Sequence, residues 1–243
     1  MVNIVIPSCG NSEFFKGSYY PKTLYEINGS PMIQQVILNY SCVKEKHFIF
    51  LFLQQECDQF HTDDVAALMT DDDADIIRLK NITGGALCTC LMAVDYIDSQ
   101  EELIIANNDQ IIDVDYNEIL DYFHENRFDC GVICFESLHP RCSYIKTDTC
   151  NQEQVIEAVE KRPVSHKAIA GFYYFRTGHD FIDASKTAIL KGAMHENKYY
   201  LTSAINEMIL NNKKAGYWEV QNNRYHSFYT PERIRIYENG GIK

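Results

Sequence analysis

Short, continuously apolar stretches alternate with helix-like segments through the first half of the chain, and that order restricts the fold more than any other feature. "VNIVIP" (2–7), "HFIFLFL" (47–53), "DIIRLK" (75–80) and "ELIIANND" (102–109) have the length and β-branched or aromatic content of fully buried strands. Between the first two, "SPMIQQVILNYS" (30–41) predicts a helix with Ser30 at the N-cap and Pro31 at the first helical position. A loop or short helix reaches to about residue 75, and "TGGALCTCLMAVDYI" (83–97) opens another helix. Strands that are apolar throughout, separated by helices, predict a parallel sheet covered on both faces.

After Asp115 the pattern changes. "YNEILDYFHEN" is a helix and "DCGVICFES" a strand; "CSYIKTD" and "QVIEAVEK" read as a hairpin. "AIAGFYYFRTG" is a strand running into a helical stretch over 179–191, followed by a helix near "YLTSAINEMILNNKKA" and a strand "GYWEVQ". No internal repeat, low-complexity tract or Pro/Gly-rich linker interrupts the 243 residues, which predicts one α/β domain over 1–243 with a mixed, mostly parallel central sheet.

A formal net charge of −12 excludes a basic nucleic-acid footprint, so a polyanionic ligand has to be drawn in by a local cluster of lysines and a metal ion. The nine cysteines are scattered and form no CxxC pair, as expected of reduced core thiols. The acidic run "DDDAD" (71–75) lacks the spacing of a calcium loop and reads as a solvated turn. The longest apolar runs are far shorter than a membrane span, and no basic, signal-like segment leads the chain, so the expectation is a soluble cytoplasmic protein without a membrane partner. A homo-oligomer is compatible with all of this.

The ordered blocks "IPSCGN…YPKTLYEINGSPMI", "TGGALCTCLMA", "LIIANNDQ", "EKRPVSHKAIAGFYYF", "YYLTSAINEMI" and "YHSFYTPERIRIYE" resemble the sugar-nucleotidyltransferase group, especially its capsule and surface-polysaccharide members. The resemblance covers nearly all of the sequence. It implies a Rossmann-like GT-A fold in which 1–115 binds nucleotide and 116–243 binds acceptor. It also implies transfer of a nucleoside monophosphate from a nucleoside triphosphate, CTP or UTP favoured, to a sugar 1-phosphate or other small phosphorylated acceptor, with Mg²⁺ as cofactor and pyrophosphate released. An acceptor phosphate is already anionic, so the absence of a GxSxG elbow, an HExxH pair or a Cys/His nucleophile suits that chemistry.

The same resemblance distributes roles. Lys22 of "YPK" matches the lysine that contacts the transferred phosphate, with Lys16 the weaker alternative; a solvated lysine beside a turn proline is the plain reading of either. Asp109, at the end of an apolar strand, matches a metal-binding aspartate, where a loop cap is the alternative. Asp113 and Asp115 read as caps of the next helix. Backbone amides of Ser8, Cys9, Gly10, Asn11 and Ser12 can line a triphosphate, and Gly84 and Gly85 the nucleoside. Glu160 and Lys161 of "EKRPVS", with Gly171, match the acceptor segment.

Two positions depart from the family pattern. Asn11, Ser12 and Glu13 stand where another glycine and an arginine fall, and Ser227 and Tyr229 replace a second metal-binding aspartate and a glycine, leaving His226 or Glu219 as substitute ligands. The alternatives are therefore a GT-A glycosyltransferase that uses a nucleotide-sugar and a catalytically silent nucleotide-binding relative. Asn107 counts against the glycosyltransferase, because it removes the first carboxylate of an Asp-x-Asp pair.

Overall fold

The computed structural model describes residues 1–10, 13–15, 17–150 and 153–240. Strand β1 (Val2–Pro7) is almost wholly buried and runs into the loop that carries Lys22. Next comes a small hairpin, β2 (Glu26–Ile27) with β3 (Ser30–Pro31), turning on Asn28 and Gly29 at φ 50° and 76°. Asn-Gly with positive φ at both centres is type I′ turn chemistry. The hairpin corrects the expected helix start: Ser30 pairs in a strand, Pro31 precedes the helix, and α1 spans Met32–Asn39.

Strand β4 (Lys46–Leu53) leads to helices α2 (Gln54–Phe60) and α3 (Thr62–Met69), then β5 (Ala74–Leu79). The helix expected over 83–97 is two pieces, α4 (Ala86–Leu91) and α5 (Val94–Ile97), because Met92 and Ala93 bond back to the third residue before them and tighten the turn. Strands β6 (Glu102–Ala106) and β7 (Gln110–Ile112) precede α6 (Tyr116–Glu125). Asp115 caps α6 by accepting from the Asn117 amide, as expected; Asp113 instead pairs with His226.

The second half contributes β8 (Cys130–Glu136), the hairpin β9 (Tyr144–Thr147) and β10 (Gln154–Val159), β11 (Lys167–Phe175), α7 (Gly178–Leu190) and α8 (Leu201–Leu210). β12 (Ala215–Val220), β13 (Tyr225–Ser227) and α9 (Pro231–Glu238) close the described chain.

Among the described residues, nine strands form one sheet in the order β5-β4-β1-β6-β11-β8-β12-β10-β9. β5, β4, β1 and β6 pair in parallel, β8 with β12 likewise, and only β11 and β10 oppose their neighbours. The sheet is thus mixed and mostly parallel, as the apolar strands predicted.

Alternate side chains go to opposite faces. Val5, Ile49 and Ile105 pack under α7 and α8 with Phe181 and Ile205, whereas Ile4, Phe50 and Ile104 pack under α1 and α6 with Val36 and Phe123. Covering both faces leaves the carboxyl ends of the strands as the open edge of the sheet. That edge is where α/β sheets bind ligands.

Candidate active site

The carboxyl ends of β1, β4 and β6 enclose a cavity of about 500 Å³, whose walls include Ser8, Gly10, Lys22, Thr23, Glu56 and Asn108. Pro21 holds an extended backbone before the turn at Lys22, and this aims the lysine across the loop. Its ammonium forms an ion pair with the carboxylate of Asp109, and both side chains are largely shielded, at 15% and 14% exposure. The structure thus brings the two principal sequence candidates together.

Asp109 is fixed from behind. Its carbonyl accepts from the Phe228 amide at 2.7 Å, and β13 pairs with β7 so that Ser227 lies opposite Gln110. Ser227 therefore stands beside Asp109, the position at which a second carboxylate would be useful. His226 does not substitute for it, because its ring is engaged by the Asp113 carboxylate at 2.7 Å; Glu219 lies exposed on β12.

Tyr229 follows directly and joins the cavity wall. Its ring centre lies 5.7 Å from the Lys22 ammonium and 4.1 Å from the Arg141 guanidinium, on a loop of the second half. Cation–π contact of this kind holds two positive groups near one ring. Among the described residues Arg141 has no carboxylate partner.

At the start of the loop, the Ser8 amide donates to the Leu51 carbonyl at 2.8 Å and the Cys9 thiol donates to the same oxygen at 3.2 Å. Burial, with the nearby Glu56 charge, pushes the Cys9 thiol up to about 12, which keeps it a neutral part of the packing. The hydroxyls of Ser8 and Thr23 are buried and lack partners among the described residues. Glu56 is half-buried, and desolvation pushes its carboxyl up to about 7.

Among the described residues, no group of three or more His, Cys, Asp and Glu side chains could hold a metal by itself. Mg²⁺ asks for less, since it takes one or two carboxylates and completes its shell with phosphate oxygens and water. Asp109 fits that requirement.

The sequence model of the nucleotidyl transferase family matches residues 17–222, most of the chain, including the Lys22 turn, β4 and β6 beside this cavity. The protein belongs to the nucleotidyl transferase family. No curated protein matches the sequence.

Solved structures share the fold of this nucleotidyl transferase family member at low identity. A nucleoside-diphosphate-sugar pyrophosphorylase from Vibrio cholerae is 19% identical with a TM-score of 0.82, covering 97% of this chain and 99% of its own. UTP-bound UGPase from Acinetobacter baumannii is 13% identical with a TM-score of 0.75, covering 98% and 92%. An inositol-1-phosphate CTP transferase from T. maritima is 11% identical with a TM-score of 0.73, covering 99% and 98%.

The remaining family positions have partners of their own. Glu160 is half-buried, and desolvation raises its pKa; its carboxylate accepts from the Ser143 and Thr202 hydroxyls at 2.7 and 3.3 Å. Lys161 pairs with Glu196 over the Tyr200 ring, and the hydrogen bond its ammonium donates to the Glu196 carboxylate is the main cause that raises its pKa.

Gly171, at φ 63°, sits where β11 slips register against β8, and a Cβ there would strike the side chains of Asn107 and Gln110. The close approach comes from this chain's own loop after β6. Gly85, at φ 133°, likewise meets the Tyr199 backbone, so packing alone demands glycine at that helix start. Gly84 accepts from the Tyr199 amide at 2.9 Å. Neither glycine is in the cavity wall around Lys22. Asn11, Ser12 and Lys16 lie outside the described residues.

Sequence reading missed Thr23, Glu56, Arg141 and the wall position of Tyr229. Thr23 and Tyr229 fall within recognised blocks, whereas Glu56 and Arg141 come from segments outside them.

Among the described residues, no helix is long and apolar enough to cross a membrane.

Proposed function

We propose that this protein transfers a nucleoside monophosphate from a pyrimidine nucleoside triphosphate to a sugar 1-phosphate or another small phosphorylated acceptor, releasing pyrophosphate. The observation that carries the reading is the shielded Lys22–Asp109 pair at the head of a cavity at the carboxyl edge of the sheet. A lysine and a carboxylate there supply the two kinds of charge that a triphosphate and its counter-ion need.

An oxygen of the acceptor phosphate attacks the α-phosphorus. A new P–O bond forms, the bond to the bridging oxygen breaks, and pyrophosphate departs with that electron pair. No general base is required, because the attacking oxygen is already ionised. Lys22 neutralises charge on the transferring phosphate. The Ser8 amide is engaged by the Leu51 carbonyl, which leaves the amides of Cys9 and Gly10 and the Ser8 and Thr23 hydroxyls as the donors for phosphate or ribose oxygens. Asp109 is the residue that would hold Mg²⁺, which when bound supplies further neutralisation of the triphosphate. Glu160, Lys161 and Gly171 belong to the acceptor side. The resemblance to surface-polysaccharide enzymes supports a role in supplying activated sugars.

The test is a pyrophosphate-release assay of each nucleoside triphosphate against a panel of sugar 1-phosphates and alcohol phosphates, with and without Mg²⁺. One pyrimidine nucleotide with one acceptor class is expected to give Mg²⁺-dependent release. Absence of release from every pair would sink the proposal, and turnover of a nucleotide-sugar in its place would identify a glycosyltransferase.

A further inference from the structure

Away from the Lys22–Asp109 end, the cavity extends past the ends of β1 and β4 to the first turn of α2, where Gln55, Glu56 and Gln59 form its wall. β6, β1 and β4 are successive neighbours in the sheet. The Glu56 wall thus lies about two strand spacings, ~10 Å, from the Asn108 wall after β6. A nucleotide with its α-phosphate at Lys22 has its base at that distance.

Glu56 makes no ion pair and no hydrogen bond among the described residues. The Ser8 and Thr23 hydroxyls, in residues 4% and 2% exposed, are also without partners and line the same cavity. Buried polar groups in folded proteins are ordinarily hydrogen-bonded. Here three polar groups from three separate segments line one cavity and have no partner among the described residues.

On the transfer reading above, we infer that Glu56 selects the nucleobase, accepting hydrogen bonds from an exocyclic amine, so that the preferred triphosphate carries an amino-bearing base, cytosine among the pyrimidines. An ionised carboxyl only accepts. Uracil and thymine present a single ring N–H between two carbonyl oxygens, and those oxygens would meet the carboxylate lone pair to lone pair. An amine supplies the donor that burial has denied the carboxyl, which desolvation already presses toward neutrality. Gln55 and Gln59 offer both donor and acceptor to the rest of the base edge. A site whose buried polar group is left unpaired by the wrong ligand discriminates strongly.

Isothermal titration of the full chain and of Glu56→Gln and Glu56→Ala with CTP, ATP, GTP, UTP and dTTP tests this, each variant being checked for an unchanged melting curve. The wild type should bind an amino-base nucleotide at least roughly tenfold tighter than UTP or dTTP. Glu56→Gln, whose amide can also donate to a carbonyl, should bring UTP to within about threefold. Uracil or thymine preference in the wild type, or a ratio untouched by Glu56→Gln, would overturn the inference. The two readings fail separately: selective binding without pyrophosphate release removes the transfer reading alone, release with uracil preference removes the base-selection reading alone, and no nucleotide binding removes both.

Discussion

The Lys22–Asp109 and Lys161–Glu196 pairs lie in different halves of the chain and differ in how much water reaches them. In the first, both side chains are about six-sevenths shielded; in the second, Glu196 is 63% exposed and Lys161 33%. An exposed pair contributes about 0–1 kcal/mol and is screened by salt, so Lys161 can leave Glu196 for a ligand at little expense. A shielded pair keeps both charges desolvated, and removing one partner strands the other. On the roles proposed above, the contrast fits the chemistry to the first pair and a docking role to the second.

Asp109→Asn is the severest way to break the comparison. Turnover should fall by at least about 10³-fold, and stability should fall with it, because Lys22 is left in a shielded site without a counter-charge. Adding Lys22→Met should restore much of the melting temperature and none of the turnover. Activity within a few-fold of wild type in Asp109→Asn would remove this carboxylate from the mechanism.

Lys22→Ala should come next, with kcat lower by about 10²–10³-fold, or ~2.7–4 kcal/mol, the range for one preorganised electrostatic group. Steady-state kinetics at saturating substrates gives the number, and unchanged turnover would reduce "YPK" to a turn. The smallest effect belongs to Lys161→Ala. The acceptor KM should rise about tenfold while nucleotide affinity stays within about twofold and stability changes by less than ~0.5 kcal/mol. Equal weakening of both ligands would show that the exposed pair is not an acceptor contact.

The parallel half was legible because each of its strands is apolar throughout, a local signal that needs no knowledge of partners. The Asn28-Gly29 hairpin was equally local, but Ser30 and Pro31 carry helix-start chemistry too, and only the pairing of Glu26 with Pro31 decides between them. Lys22 and Asp109 were legible one at a time through their motifs. Their ion pair spans 87 residues of sequence and was not. Glu56 and Arg141 belong to no motif, Tyr229 was legible only as a departure from one, and the place of all three in the site depends on which strand ends the sheet sets side by side.

One ion pair also sets how ligands must arrive. On the roles proposed above, a cation at Asp109 competes with the Lys22 ammonium for one carboxylate and a phosphate at Lys22 competes with that carboxylate for one ammonium, so loosening the pair serves both. Whichever ligand comes first meets a closed pair, and the second meets an open one. Linkage makes the effect mutual: the factor by which the cation tightens the nucleotide is the factor by which the nucleotide tightens the cation. The resting protein then responds weakly to either one and strongly to their coincidence.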